Sequence, residues 1–156
     1  MHGHTFLPHR GSSTTARDRR RAKHGPGRIL VIDDEELIGK TIAYGLGAHY
    51  EVVTVTRAAA ALRLCADGAD FDLILCDLLM PDMTGMELYR RLCVAAPALV
   101  PRIVFLTGAD FDPEVRGFLQ DVPNPCLEKP FDFSSLVALV RERVGPPAAR
   151  ARHPNI

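Results

Sequence analysis

Five positions hold residue types able to do chemistry together: Asp33 with Asp34, Asp77, Thr107 and Lys129. Each stands where a short apolar run stops. Carboxylates are hard oxygen donors, and several at one place repel each other and oppose folding unless a cation holds them. A lysine adds a compact positive charge and a threonine a hydroxyl that can donate a hydrogen bond. Taken singly, each has a plainer reading. An aspartate after a strand forms turns, acids before a helix suit its dipole, a threonine caps, and a lysine is solvated. The chemical reading therefore depends on whether the chain brings all five to one place.

The elements around them argue that it does. Leu73 to Cys76 is four apolar residues with no polar alternate, as expected of a parallel strand covered on both faces, and it delivers Asp77 to its carboxyl end. Met80-Pro81-Asp82-Met83-Thr84-Gly85 cannot extend that strand, since Pro81 lacks an amide donor and Gly85 tolerates positive φ. Arg28 to Ile32 reads as an earlier strand ending at Asp33-Asp34-Glu35-Glu36, followed by the helical period Leu37, Ile38, Ile42 and Leu46. Glu51 to Thr54 is a weak strand and Ala58 to Ala66 an alanine-rich helix; Met86 to Val94 is helical, with Met86, Leu88, Tyr89, Leu92 and Cys93 on its apolar face. Pro101 to Leu106 reads as the fourth strand, ending at Thr107-Gly108, and a short helix begins around Pro113 and runs to Gln120. Pro125 to Glu128 is the fifth strand, ending at Lys129-Pro130. Asp132 or Ser134 opens the last helix, which turns Leu136, Val137, Leu139 and Val140 inward and ends at Gly145-Pro146-Pro147. Strand and helix alternating five times predict an α/β, doubly wound parallel sheet with helices on both faces, whose carboxyl edge receives all five polar residues.

Composition fits one globular domain, with 47% hydrophobic residues in 156. The formal charge of zero hides an asymmetry: residues 1–27 carry six Lys/Arg against one acid, and Arg150 with Arg152 add to the other end, leaving 28–144 at −7. The expected organisation is a disordered basic tail over 1–27, one domain over 28–144 and a disordered tail over 145–156. The basic tail has neither aromatics interleaved with its arginines nor a helical period, so nucleic-acid binding is not expected. No apolar run spans a bilayer and the first ten residues do not resemble a signal peptide, so a cytoplasmic protein without membrane insertion is expected. Cys65, Cys76, Cys93 and Cys126 form no Cys-x-x-Cys pair and read as buried thiols.

Asp33-Asp34, Asp77 with Met80-Pro81 and Gly85 beyond it, Thr107 and Lys129-Pro130, at separations of 44, 30 and 22 residues from Asp33 to Lys129, together resemble the receiver domain of two-component response regulators over about 28–144. The resemblance implies a flavodoxin-like (βα)5 fold with strand order 2-1-3-4-5. It implies that Asp77 accepts a phosphoryl group from a phosphohistidine, and that Asp33, Asp34, the Asp77 carboxylate and the Leu79 backbone carbonyl hold Mg²⁺. Thr107 and Lys129 would contact the phosphoryl oxygens, and a cis bond before Pro130 would aim Lys129 inward. The implied partners are a histidine kinase or a histidine phosphotransfer protein, with a downstream protein target, and the role is a switch or relay rather than an enzyme. Thr107-Gly108 and the run from Val122 to Phe131 are similar to receivers fused to hybrid histidine kinases, and the dozen or so residues after the last helix suggest a stand-alone receiver.

The chain departs from the family at three places. Cys126 stands where the family usually has a Tyr or Phe that moves inward on activation, so the signal is expected to travel through Thr107 and the Gly108 to Gln120 segment. Leu79 and Ala109 occupy the positions that influence hydrolytic water, and neither side chain can orient one, so slow hydrolysis of phospho-Asp77 is expected. Two other functions compete: a phosphorylation-independent interaction module using the face of the fourth helix, fifth strand and last helix, and a metal-dependent phosphatase. The phosphatase would want an acid where Leu79 stands.

Overall fold

The computed structural model describes residues 25–108 and 112–147. The expected tails lie outside them except for 25–27 and 145–147. The elements run β1 (Arg28–Ile32), α1 (Glu36–Leu46), β2 (Glu51–Val55), α2 (Ala58–Ala66), β3 (Leu73–Asp77), α3 (Gly85–Ala95), a 3-10 helix (Pro97–Arg102), β4 (Ile103–Thr107), α4 (Pro113–Asp121), β5 (Cys126–Glu128) and α5 (Phe133–Val144). All strand pairs are parallel and the sheet order is β2-β1-β3-β4-β5, as the resemblance implied.

The unbroken apolar runs are explained by two half-cores. Leu30, Ile32, Ile74, Cys76 and Phe105 face α2, α3 and α4, whereas Ile29, Val31, Leu73, Leu75, Val104 and Leu106 face α1 and α5. Alternate side chains leave opposite faces of a strand, so a strand covered twice needs apolar residues at every position. Each such side chain contributes about 1.5–3 kcal/mol when fully buried. Gly27 and Gly145 are tied into the domain: the Gly27 carbonyl accepts from Glu51 N at 2.9 Å, and the Gly145 carbonyl accepts from the Tyr50 hydroxyl at 2.9 Å.

Three expectations are corrected. The fourth strand starts at Ile103 rather than Pro101, because the preceding residues close a 3-10 helix and Arg102 turns back to donate to Asp70 Oδ1 at 2.7 Å and the Phe71 carbonyl at 2.6 Å. Leu37 does not face the core and is 75% exposed; Ile42 and Leu46 take the inward stripe, with Ile38 packed beside it. Only Cys65 and Cys76 are buried thiols. Cys93 falls on the outer side of α3, whose inward positions are Met86, Leu88 and Leu92, and Cys126 lies exposed on β5, at the edge of the sheet. Of the two candidate starts for the last helix, Asp132 holds the N-cap position, though its side chain makes no capping hydrogen bond. Among the described residues no helix is long and apolar enough to cross a membrane.

Candidate functional site

The sheet brings the acids together. Asp33 follows β1, its amide donating to the Val55 carbonyl at 3.2 Å, which extends the ladder one residue past the strand. Asp77 is the last residue of β3, in register with Leu106, and Leu78 N donates to the Leu106 carbonyl at 3.1 Å. These constraints bury Asp33 and Asp77 while Asp34 stays exposed, and carboxylate oxygens of all three lie within 4.8 Å of one another.

Lys129 enters from the first residue after β5, its amide donating to the Thr107 carbonyl at 2.6 Å, and the Lys129–Pro130 bond is cis. Its Nζ lies 2.7 Å from Asp33 Oδ2 and 3.3 Å from Asp77 Oδ2. The remaining carboxylate oxygens are met by backbone amides: Asp33 Oδ1 accepts from Glu35 N at 2.9 Å and Asp77 Oδ1 from Leu79 N at 3.3 Å. Thr107 ends β4, buried at the same edge, and its hydroxyl donates to the Gly108 carbonyl at 3.3 Å. Two buried carboxylates thus share one ammonium.

The electrostatics follow. Burial pushes the Asp77 carboxyl up to about 6, with the Asp33 charge adding to the effect, and Lys129 and the Leu79 amide only partly offset it. For Lys129, burial alone would lower the ammonium, but the hydrogen bond to Asp33 and the charges of Asp77 and Asp33 outweigh it and hold it above its ordinary value. The Cys76 thiol beneath Asp77 is driven far up by burial and then by the two neighbouring acids, so it is inert.

The loop after β3 explains its punctuation. A Cβ on Gly85 would run into the Asp77 carbonyl oxygen and stand 3.0 Å from Leu78 Cα, so the helix can start this close to the acid only with glycine. Thr84 caps α3, its hydroxyl accepting from Glu87 N at 3.1 Å. Leu79 projects outward, 52% exposed, while its amide holds Asp77. Ala109 lies outside the described residues.

Sequence reasoning missed an open groove of about 580 Å³ beside Lys129, lined by Leu37, Ile38, Ile42, Gly108, Phe131 and Phe133 among others. The solvent-facing Leu37, a member of the apolar period of α1, is the available signal. Sequence reasoning also missed the left-handed backbone of Asp82 (φ 69), whose side chain reaches Arg57 at 3.7 Å.

Among known proteins, the response regulator receiver domain family matches residues 29–141. The transcriptional regulatory protein HprR of Escherichia coli is 34% identical over 119 residues, covering 75% of this chain and 51% of that protein. CutR of Streptomyces coelicolor is 31% identical over 115 residues, covering 73% and 52%. The chain spans about half the length of these relatives. Among solved structures, the Vibrio cholerae chemotaxis protein CheY4 superposes with a TM-score of 0.64 at 29% identity, covering 76% of this chain and 99% of that one. The receiver domain of the sensor histidine kinase PA1611 from Pseudomonas aeruginosa, solved with a magnesium ion coordinated in its active-site cleft, superposes with a TM-score of 0.65 at 25% identity, covering 78% and 100%.

Proposed function

Because the chain belongs to the response regulator receiver domain family, we propose that it is a phospho-accepting protein of two-component or phosphorelay signalling, taking a phosphoryl group onto Asp77 from a phosphohistidine. The observation that carries this reading is the convergence of Asp33, Asp34 and Asp77 within 4.8 Å, with Lys129 bridging two of them. A carboxylate oxygen of Asp77 forms the new bond to phosphorus as the phosphorus–nitrogen bond to the donor imidazole breaks, the electron pair leaving with that nitrogen. The chain's residues supply position and charge: Lys129 meets one phosphoryl oxygen, the Thr107 hydroxyl donates to another, and the Leu79 amide orients the Asp77 carboxylate.

The residues fit a divalent cation. Three hard oxygen donors in reach of one another, two of them buried against a single lysine, make a donor set of the kind Mg²⁺ takes. Asp33, Asp34, Asp77 and the Leu79 carbonyl would hold it, and when bound it would neutralise charge on the phosphoryl oxygens. The protein is read as a cytoplasmic relay that is consumed and regenerated, rather than an enzyme with a separate substrate. Its donor would be a histidine kinase or a histidine phosphotransfer protein. The apolar groove lined by Lys129 and Gly108 offers such a donor a surface on the lysine that pairs with Asp77.

The test is beryllofluoride, a mimic of an aspartyl phosphate, added with Mg²⁺ to the wild type and to Asp77→Asn and followed by amide NMR. Magnesium-dependent shifts around Asp77, Thr107 and Lys129 that Asp77→Asn abolishes are expected. A folded wild type that does not respond would sink the reading and favour a phosphorylation-independent interaction module.

A further inference from the structure

Helix α1 contains two glycines, Gly39 and Gly45, a residue less favourable than alanine within a helix by about 0.5–1 kcal/mol. Gly39 has room for a side chain: a Cβ there would lie 3.5 Å from Thr54, an ordinary contact. Gly45 has none. A Cβ there would fall against the Phe133 ring, 2.9 Å from Cε1 and closer still to Cζ and Cε2. The ring occupies the place a side chain would take.

Phe133 is the first residue of α5 and stands four residues after Lys129. Because Asp132 makes no side-chain capping bond, the start of α5 is not fixed by the usual hydrogen bond. It is fixed by packing: Phe131 and Leu136 in the half-core on the α1 and α5 side of the sheet, and Phe133 in the notch of Gly45. The other end of the connection is fixed by the Lys129 amide on the Thr107 carbonyl. Residues 129–133 are therefore held by the sheet at one end and by α1 at the other.

We propose that Phe133, seated on Gly45, is a positioning residue for Lys129, fixing the connection from which the ammonium reaches Asp33 and Asp77 and so setting the rate of phosphoryl transfer to Asp77. The inference rests on the phosphoacceptor reading above. Phe133 is already 40% exposed and borders the open groove, so a side chain at position 45 pushes the ring outward and moves the connection without requiring the domain to unfold.

The experiment uses the full chain as wild type, Gly39→Ala, Gly45→Ala and the pair Gly45→Ala with Phe133→Leu. Phosphorylation by phosphoramidate at saturating Mg²⁺ is followed by intact mass, beside Mg²⁺ affinity and the thermal midpoint. Gly45→Ala is expected to slow phosphorylation by roughly five-fold or more, since small misplacements of a charge-bearing group are costly in transfer chemistry. Its Mg²⁺ affinity should hold, because Asp33 and Asp34 follow β1 and Asp77 ends β3, so none of the three acids belongs to this connection. Adding Phe133→Leu, whose smaller side chain fits over alanine, should return the rate to near wild type, and Gly39→Ala should match wild type throughout. A Gly45→Ala rate close to wild type overturns the proposal, as does a loss that Phe133→Leu fails to recover or one matched by lost Mg²⁺ affinity. A wild type that phosphoramidate does not phosphorylate brings down the phosphoacceptor reading and this inference together; a phosphorylated wild type with an unaffected Gly45→Ala brings down this inference alone.

Discussion

Lys129 and Asp33, 96 residues apart in the chain, form a 2.7 Å ion pair in which the Asp33 side chain is entirely buried. A buried carboxylate stripped of its partner is expensive. Lys129→Met should lower the stability of the metal-free protein by about 2–4 kcal/mol in urea unfolding. It should also all but abolish phosphorylation by phosphoramidate. Mg²⁺ should restore part of the stability but not the phosphorylation; full activity in Lys129→Met would remove the lysine from the transfer step.

Asp77 makes the metal-free protein sensitive to pH with a definite sign. Its carboxyl is raised from an ordinary 3.8 to about 6 in the fold, so the folded chain binds the proton more tightly than the unfolded chain does. The Asp77 contribution therefore stabilises the protein below about pH 4 and is lost as pH rises through about 6. Urea midpoints in chelator at pH 5 and pH 7 should show the wild type gaining stability on acidification relative to Asp77→Asn. Protons also compete for the same oxygens, so Mg²⁺ affinity should weaken below about pH 6. Parallel pH profiles for the two proteins would contradict this.

Leu79 is half-exposed beside Asp77 and offers an attacking water no hydrogen bond. Phospho-Asp77 should hydrolyse slowly, and Leu79→Asn should speed its loss several-fold, measured by mass spectrometry after the phosphodonor is removed. An unchanged decay would show that water access is set elsewhere.

Two glycines should respond oppositely to alanine. Gly85→Ala drives a methyl into the Asp77 carbonyl and the Leu78 backbone, and should cost about 1–3 kcal/mol and weaken Mg²⁺ binding. Gly117→Ala, within α4 and with nothing within 4 Å of the new Cβ, should stabilise by about 0.5–1 kcal/mol. Thermal melts distinguish the two.

Cys93 and Cys126 are exposed while Cys65 and Cys76 are buried. Ellman's reagent should therefore modify two thiols readily in the native protein and all four in denaturant. Four equally fast thiols would contradict the half-core packing around Cys65 and Cys76.

Much of this is legible in the sequence, for a local reason. The runs at Arg28–Ile32 and Leu73–Asp77 declare strands covered on both faces, and alternation of strand and helix then sends whatever follows each strand to one edge. Asp33, Asp77, Thr107 and Lys129 could be gathered on that basis, and the family resemblance rested on the same positions. Periodicity was a poorer guide to side-chain direction: Leu37 and Cys93 fit an apolar stripe yet point to solvent, because the partner elements cover a narrower arc of each helix than the pattern suggests. The first residues of the fourth strand went to a 3-10 helix because Arg102 found distant partners at Asp70 and Phe71.

The sequence by itself thus determined the order of elements, the edge at which the polar residues meet and the identity of the acids. Tertiary structure alone decided that one ammonium serves two buried carboxylates, that burial pushes the Asp77 carboxyl well above its ordinary value, that a groove opens beside Lys129, and that the Phe133 ring rests on Gly45. The first set depends on periodicities within a segment. The second depends on distances between segments far apart in the chain, fixed only when both half-cores close on the sheet.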